Sequence, residues 1–204
     1  MLRFDHAILT VADLDGAAQR LLDEHGLDSV PGGRHAGHGT ANRLVPLGHD
    51  YVELVAVVDP TEAAESPFGR WVGMHAVGDC PAGICLRTTD IVGLGRRLDL
   101  APVRMSRVRP DGVELSWRLL GLEVALGAGL PFFIEWDVPP GDYPGRSGAA
   151  HLVNPLGISW VELGGDAERL DSWLGAHDLD LRIVDGSPGV HRVGIDTDAG
   201  VVVL

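Results

Sequence analysis

Lysine is missing from this chain: all 16 basic residues are arginines. Without a lysine amine there is no Schiff base, no P-loop phosphate cradle and no Ser-Lys nucleophile pair. Positive charge is scarce as well, since 29 acidic residues leave a formal net charge of −13. Nucleic-acid binding runs on Lys and Arg displacing condensed counterions from phosphates, so this balance argues against such a partner. Cys80 and Cys85 are too few for a disulfide-stapled fold. A Cys-x4-Cys pair without two further soft ligands is a weak zinc signal, and both are read as reduced thiols. No apolar run approaches the ~20 residues a membrane-spanning helix requires. The opening Met1-Leu2-Arg3-Phe4-Asp5-His6 puts charge where a signal peptide would be apolar. The expectation is a cytoplasmic protein without membrane contact. There is no Gly-x-Ser-x-Gly elbow, and Gly93-Leu94-Gly95 falls inside an expected helix, so neither a serine hydrolase nor a dinucleotide fold gains support.

What the chain does have is 45% apolar residues over 204 positions, ample for a packed core. Ala7, Leu9 and Val11 alternate with His6, Ile8 and Thr10, a period of two that marks a strand with two different faces. Asp13 is placed to cap a helix carrying Leu14, Ala17, Ala18, Leu21 and Leu22 at helical spacing, with Gly26 to end it. That apolar stripe should cover Ala7, Leu9 and Val11. His6, Ile8 and Thr10 then face a cavity, joined by Tyr51, Val55 and Glu53 if the last strand shares it. The glycine-rich stretch 31–39 fits a loop or hairpin leading into a strand over 40–47.

The pattern then recurs. Asp13 before the first helix matches Asp90 before a second, 77 residues later, and Phe133-Ile134-Glu135-Trp136 echoes Tyr51-Val52-Glu53-Leu54 at an offset of 82. A connector over 58–81 separates the units. After a strand with Ile84, Leu86 and Thr88 on one parity and Gly83, Cys85 and Arg87 on the other, strands are expected near 102–108, 113–120 and 131–137. In the 77-residue register Gly83 stands where His6 stood. A third start follows, with a strand over 158–163 and a helix from Asp166 carrying Leu170, Trp173, Leu174 and His177. The organisation is an α+β protein of tandem βαβββ units (1–77 and 78–145) whose curved mixed sheet forms a cup, plus a shortened third β-α-β unit (146–204) on the same domain.

Glu53 and Glu135 sit in otherwise apolar strands, where an unpaired carboxylate carries a heavy desolvation cost. Arginine partners, protonation or a divalent cation would each neutralise them, and the imidazole of His6 tilts the choice toward a cation. Arg87, on the cavity parity, either binds a substrate carboxylate or pairs with an internal acid. His35 and His38 are expected at the mouth of the cup. His75, His151 and His191 lack partners at informative spacing. Trp117, Trp136 and Trp160 are read as core.

Four segments together resemble the glyoxalase-like proteins of the vicinal oxygen chelate superfamily: Asp5-His6-Ala7-Ile8-Leu9-Thr10-Val11-Ala12-Asp13-Leu14, Gly39-Thr40-Ala41-Asn42-Arg43-Leu44, Tyr51-Val52-Glu53-Leu54-Val55-Ala56-Val57 and Leu130-Pro131-Phe132-Phe133-Ile134-Glu135-Trp136-Asp137. The resemblance covers residues 4–137 well and the remainder loosely. It implies paired βαβββ units with ligands from the first and last strand of each: His6, Glu53 and Glu135 as metal ligands, with Gly83 replacing the usual fourth. One His and two Glu suit Zn²⁺, Mn²⁺ or Ni²⁺ better than oxygen-activating iron, and leave coordination positions open for substrate. The expected function is a metal-dependent lyase or isomerase acting on a small metabolite with adjacent oxygens. Glu135 or Glu53 would be the general base, and Arg87, Asn42 and His38 would bind substrate. The competing reading is a non-catalytic small-molecule binder of the same fold. Exposed sheet edges favour a homodimer.

Overall fold

The computed structural model describes residues 1–109 and 112–204. The first unit runs β1 (Arg3–Thr10), α1 (Leu14–His25), β2 (Val30–His35), β3 (Thr40–Pro46) and β4 (Tyr51–Val57). Its helix starts and stops where the sequence places it. The Asp13 carboxylate accepts the Asp15 and Gly16 N–H groups, and Gly26 adopts φ 69°, the left-handed conformation that lets its N–H close back on Leu21 and Leu22.

The connector is ordered into α2 (Pro60–Glu65) and α3 (Pro67–His75), each with proline at its first turn and a side-chain cap, from Asp59 and Ser66. The second unit runs β5 (Cys80–Arg87), α4 (Ile91–Leu98), β6 (Val103–Val108), β7 (Glu114–Leu120), α5 (Leu122–Ala128) and β8 (Phe132–Trp136). Helix α5 was not expected; Gly121 stands at its N-cap with no side-chain hydrogen bond.

The two units share one eight-stranded sheet in the order β2-β3-β4-β1-β5-β8-β7-β6. The first strands, β1 and β5, pair antiparallel at the centre, and each last strand runs parallel to the first strand of its own unit. The curled sheet is a glyoxalase-like α+β cup, with α1 and α4 on its convex side. Ala7, Leu9 and Val11 are buried beneath α1 among Ala17, Ala18 and Leu21, as the periodicity requires.

The remainder comprises β9 (Pro155–Gly164), α6 (Ala167–Leu174), β10 (Leu181–Val184), β11 (Gly189–Thr197) and β12 (Gly200–Val203) in a separate sheet ordered β10-β9-β11-β12. Here the strand after the helix lies directly beside the strand before it, parallel. In the two cup units it lies farthest away. His177 falls beyond α6, which Gly175 ends. Buried Asp50, in the β3–β4 turn, docks this sheet on the cup: both carboxylate oxygens lie 3.2 Å from the Ile158 N–H.

Among the described residues no helix is long and apolar enough to cross a membrane.

Candidate active site in the cup

All strands of the first unit deliver polar side chains to the concave face: His6 from β1, His35 from β2, Asn42 from β3, Tyr51 and Glu53 from β4. They line one side of a cavity of about 490 Å³, a volume typical of small-molecule sites. Glu53 is the hub. Its Oε1 accepts a hydrogen bond from Asn42 Nδ2 and lies 3.4 Å from His35 Nε2, while its Oε2 lies 3.7 Å from His6 Nε2. Burial by itself raises the Glu53 pKa, but the His35 and His6 rings and the Asn42 amide outweigh it and hold the carboxyl down to about 2. Glu53 is therefore a carboxylate at any physiological pH.

Each of its neighbours is fixed from behind. The Gly33 N–H donates to Asn42 Oδ1 at 2.7 Å, which turns the amide nitrogen toward Glu53. Strand β2 comes this close only because residue 32 is glycine, since a Cβ there would lie 2.0 Å from Asn42 Oδ1. His35 Nδ1 is 2.8 Å from the buried Thr40 hydroxyl. His6 Nδ1 donates to Asp5 at 2.8 Å, and a carboxylate partner requires the proton to sit on that nitrogen, so the neutral ring presents the Nε2 lone pair. Adjacent residues of a regular strand face opposite ways. Asp5 reaches His6 because the β1–β5 register shifts between Phe4 and His6, leaving Asp5 as the extra residue of a bulge. The second Asp5 oxygen accepts the Trp136 indole N–H at 2.9 Å and lies 3.5 Å from Arg87.

Asp5, His6 and Cys85 also present ligand atoms within 4.8 Å of one another. We read this cluster as hydrogen-bonded core. Asp5 and His6 Nδ1 already satisfy each other, and full burial pushes the Cys85 thiol well above its ordinary pKa, which disfavours the thiolate a metal needs.

Glu135 is not part of the cup, contrary to the reading of the sequence. Phe132, Ile134 and Trp136 face the cavity, so Phe133 and Glu135 face the helices. Phe133 stacks on Trp173, with ring centroids 5.9 Å apart. Glu135 accepts the Ile91 N–H at the start of α4 at 2.7 Å and the Arg118 guanidinium at 3.0 Å. It is an arginine-paired acid that also caps a helix N-terminus. The ladder explains the misassignment. Glu53 stands opposite Ile8, the 77-residue shift carries Ile8 to Cys85, and Cys85 stands opposite Phe132. The counterpart of Glu53 in the second unit is therefore Phe132. Over Gly83, where a fourth ligand was sought, Leu126, Trp71 and Ile8 occupy the space a side chain would enter.

Arg87 likewise turns away from the cavity. It donates to the His49 carbonyl at 3.1 Å, lies against Asp5 and covers the Tyr143 ring, so it belongs to the internal-pair alternative. His38 does line the cup. Its Nδ1 is 2.6 Å from Ser66 Oγ, and burial, with a smaller contribution from His35, lowers its pKa and keeps the ring neutral. His35 also faces the cavity, and its place beside Glu53 went unrecognised: a histidine five residues before a threonine in a glycine-rich stretch gives no periodic signal. Trp117 and Trp136 were expected in the core and instead form part of the cavity wall.

The fold is that of a glyoxalase-like cup protein. The chain belongs to the glyoxalase-like domain family, whose pattern matches residues 4–177. A crystal structure of a hypothetical protein from Staphylococcus aureus shares the fold over 94% of this chain and 89% of that one, with a TM-score of 0.70 and 19% identity. Methylmalonyl-CoA epimerase from Mycobacterium tuberculosis is similar over 67% of this chain and 88% of its own, at 22% identity and a TM-score of 0.47. A Streptomyces coelicolor methylmalonyl-CoA epimerase in complex with 2-nitronate-propionyl-CoA is similar over 67% and 98%, at 15% identity and 0.48. Comparison with curated proteins gave no match.

Proposed function

We propose that the cup is the active site of a metal-dependent isomerase or lyase acting on a small metabolite with adjacent oxygens. The observation that carries this reading is an ionised carboxylate, Glu53, set between the Nε2 atoms of His6 and His35, each of which has its other nitrogen engaged. Two imidazoles and one carboxylate are a fitting donor set for a borderline divalent ion, and His6, His35 and Glu53 would hold it. Zinc, manganese, nickel and iron all accept such ligands, so the preference for a redox-inert ion, which assumed one His and two Glu, loses its basis. When bound, the ion would act as a Lewis acid on the substrate's oxygens.

The chain's own groups divide the remaining work. Asp5 holds the His6 tautomer and orientation, as carboxylate partners of ligand histidines do. Asn42 holds Glu53 by hydrogen bonding. Glu53, held by Asn42 and engaged by the ion it would bind, is poorly placed to act as a base. Proton transfer at the carbon next to the bound oxygens therefore falls to His38, which is neutral, lines the cavity and has Nδ1 occupied by Ser66. The test is metal content after purification without chelators. His6→Ala and His35→Ala should each lose most of the bound ion, and equal content in wild type and His6→Ala would refute the site.

A second reading draws on the far wall, where the second unit contributes no metal-ligating side chain among the described residues lining the cavity. A non-catalytic binder would be stabilised thermally by its ligand regardless of chelator.

A further inference from the structure

The chain is poor in aromatic residues, at 5%. Yet five of its eleven, Tyr51, Phe68, Trp117, Phe132 and Trp136, line this one cavity. Both indoles of the cavity stand on the same side. The second unit supplies Trp117, Phe132 and Trp136, with the Trp117 and Trp136 ring centroids 5.4 Å apart and tilted by 51°. Met105, Leu119, Leu122 and Ile134 extend that wall, and Arg107 and Ser106 lie beside it. The polar hub around Glu53 stands across from it. At ~30 Å³ per water, about 490 Å³ corresponds to roughly sixteen waters, so a metabolite of five or six heavy atoms would leave most of this apolar wall wet.

We infer that the substrate carries an aromatic ring that packs on the Trp117–Trp136 wall while an adjacent pair of oxygens meets the Glu53 end. The position of the oxygens rests on the proposed function; that of the ring rests on the wall alone. Tilted indoles receive a flat ring in offset or edge-on contact, which adds to the gain from removing the ring from water. A CoA thioester fits this chain less well. The net charge of −13 opposes a polyphosphate, and of the two arginines that line the cavity, Arg34 and Arg107, Arg34 is already paired with Asp59 and Glu62.

Titration calorimetry on the full chain in excess Zn²⁺ tests this with two α-keto acids that share a head and differ in the body, pyruvate and phenylglyoxylate, and with propionyl-CoA. Phenylglyoxylate should bind about tenfold or more tighter than pyruvate. Trp117→Ala should bring that ratio close to one, and Trp117→Phe should keep most of it, which separates loss of the ring from loss of the fold. Glu53→Gln should weaken both acids in parallel and leave the ratio unchanged. Equal binding of the two acids, no binding of phenylglyoxylate, an undiminished ratio in Trp117→Ala, or tighter binding of propionyl-CoA would overturn the inference. A ratio that survives while Glu53→Gln weakens neither acid would uphold the aromatic wall and refute the metal-site reading.

Discussion

The two halves of the cup share a topology and differ in chemistry. On the first unit's side, β1, β2, β3 and β4 turn His6, His35, Asn42 and Glu53 inward. On the second unit's side, the position equivalent to Glu53 is Phe132, Gly83 is covered by Leu126 and Trp71, and the one acid of the last strand, Glu135, faces the helices. A duplicated scaffold therefore does not imply a duplicated donor set. One half holds the candidate metal ligands, and the other is mainly apolar and aromatic.

The largest effect expected is at the hub. Glu53→Gln should abolish metal retention, measured by elemental analysis. It should also change the acid limb of stability. A carboxyl whose pKa falls on folding to about 2 stabilises the fold above its ordinary value, and that contribution is lost as pH falls from about 4.5 toward 2. The variant should lack this loss, seen as a flatter denaturation profile between those pH values. Next, Phe132→Glu places a carboxylate where Glu53 has its counterpart. Without a cation it should cost roughly 3 kcal/mol, because it loses the buried ring and desolvates a charge. Added Zn²⁺ should restore part of that in thermal melts if the two halves are geometrically equivalent.

Smaller effects mark the margins of each half. Asp5→Asn keeps an acceptor for His6 but removes its charge, and should weaken metal affinity by about 10- to 100-fold in competition titrations. Asp50, at the seam with the second sheet, is raised to about 7 by burial, with nearby Asp5 adding to the effect of desolvation. A raised carboxyl stabilises the fold fully below its unfolded pKa and loses that contribution as pH climbs to about 7. Asp50→Asn should therefore be increasingly favourable from pH 4 to pH 8, by up to about 4 kcal/mol in urea denaturation. Glu135→Gln should cost about 1 kcal/mol, through the weakened contacts with Arg118 and the α4 N-terminus, and leave metal content unchanged.

The architecture could be read from the sequence because its signals are local. Asp13, Asp90 and Asp166 cap the helices they precede, Gly26 closes α1, and the alternation of β1 puts His6 on the face opposite Ala7. Asn42 and the pairing of Glu53 with His6 came instead from the family resemblance. Alternation gave no guide in strand β8. It is apolar on both faces, so parity carried no information, and counting back from an acidic residue missed the ladder by three positions. His35 depends on a hairpin that brings β2 beside β3, a relation that no spacing within residues 31–39 expresses. Helix α5 lacks a side-chain cap, and α2 and α3 were passed over although Asp59-Pro60 and Ser66-Pro67 mark their starts.

The most direct measurement is anomalous diffraction from crystals grown with Zn²⁺, recorded on both sides of the zinc absorption edge. The account requires one strong anomalous peak bounded by His6 Nε2, His35 Nε2 and Glu53. A peak beside Glu135, one among Asp5, His6 Nδ1 and Cys85, or none within the cup would contradict it.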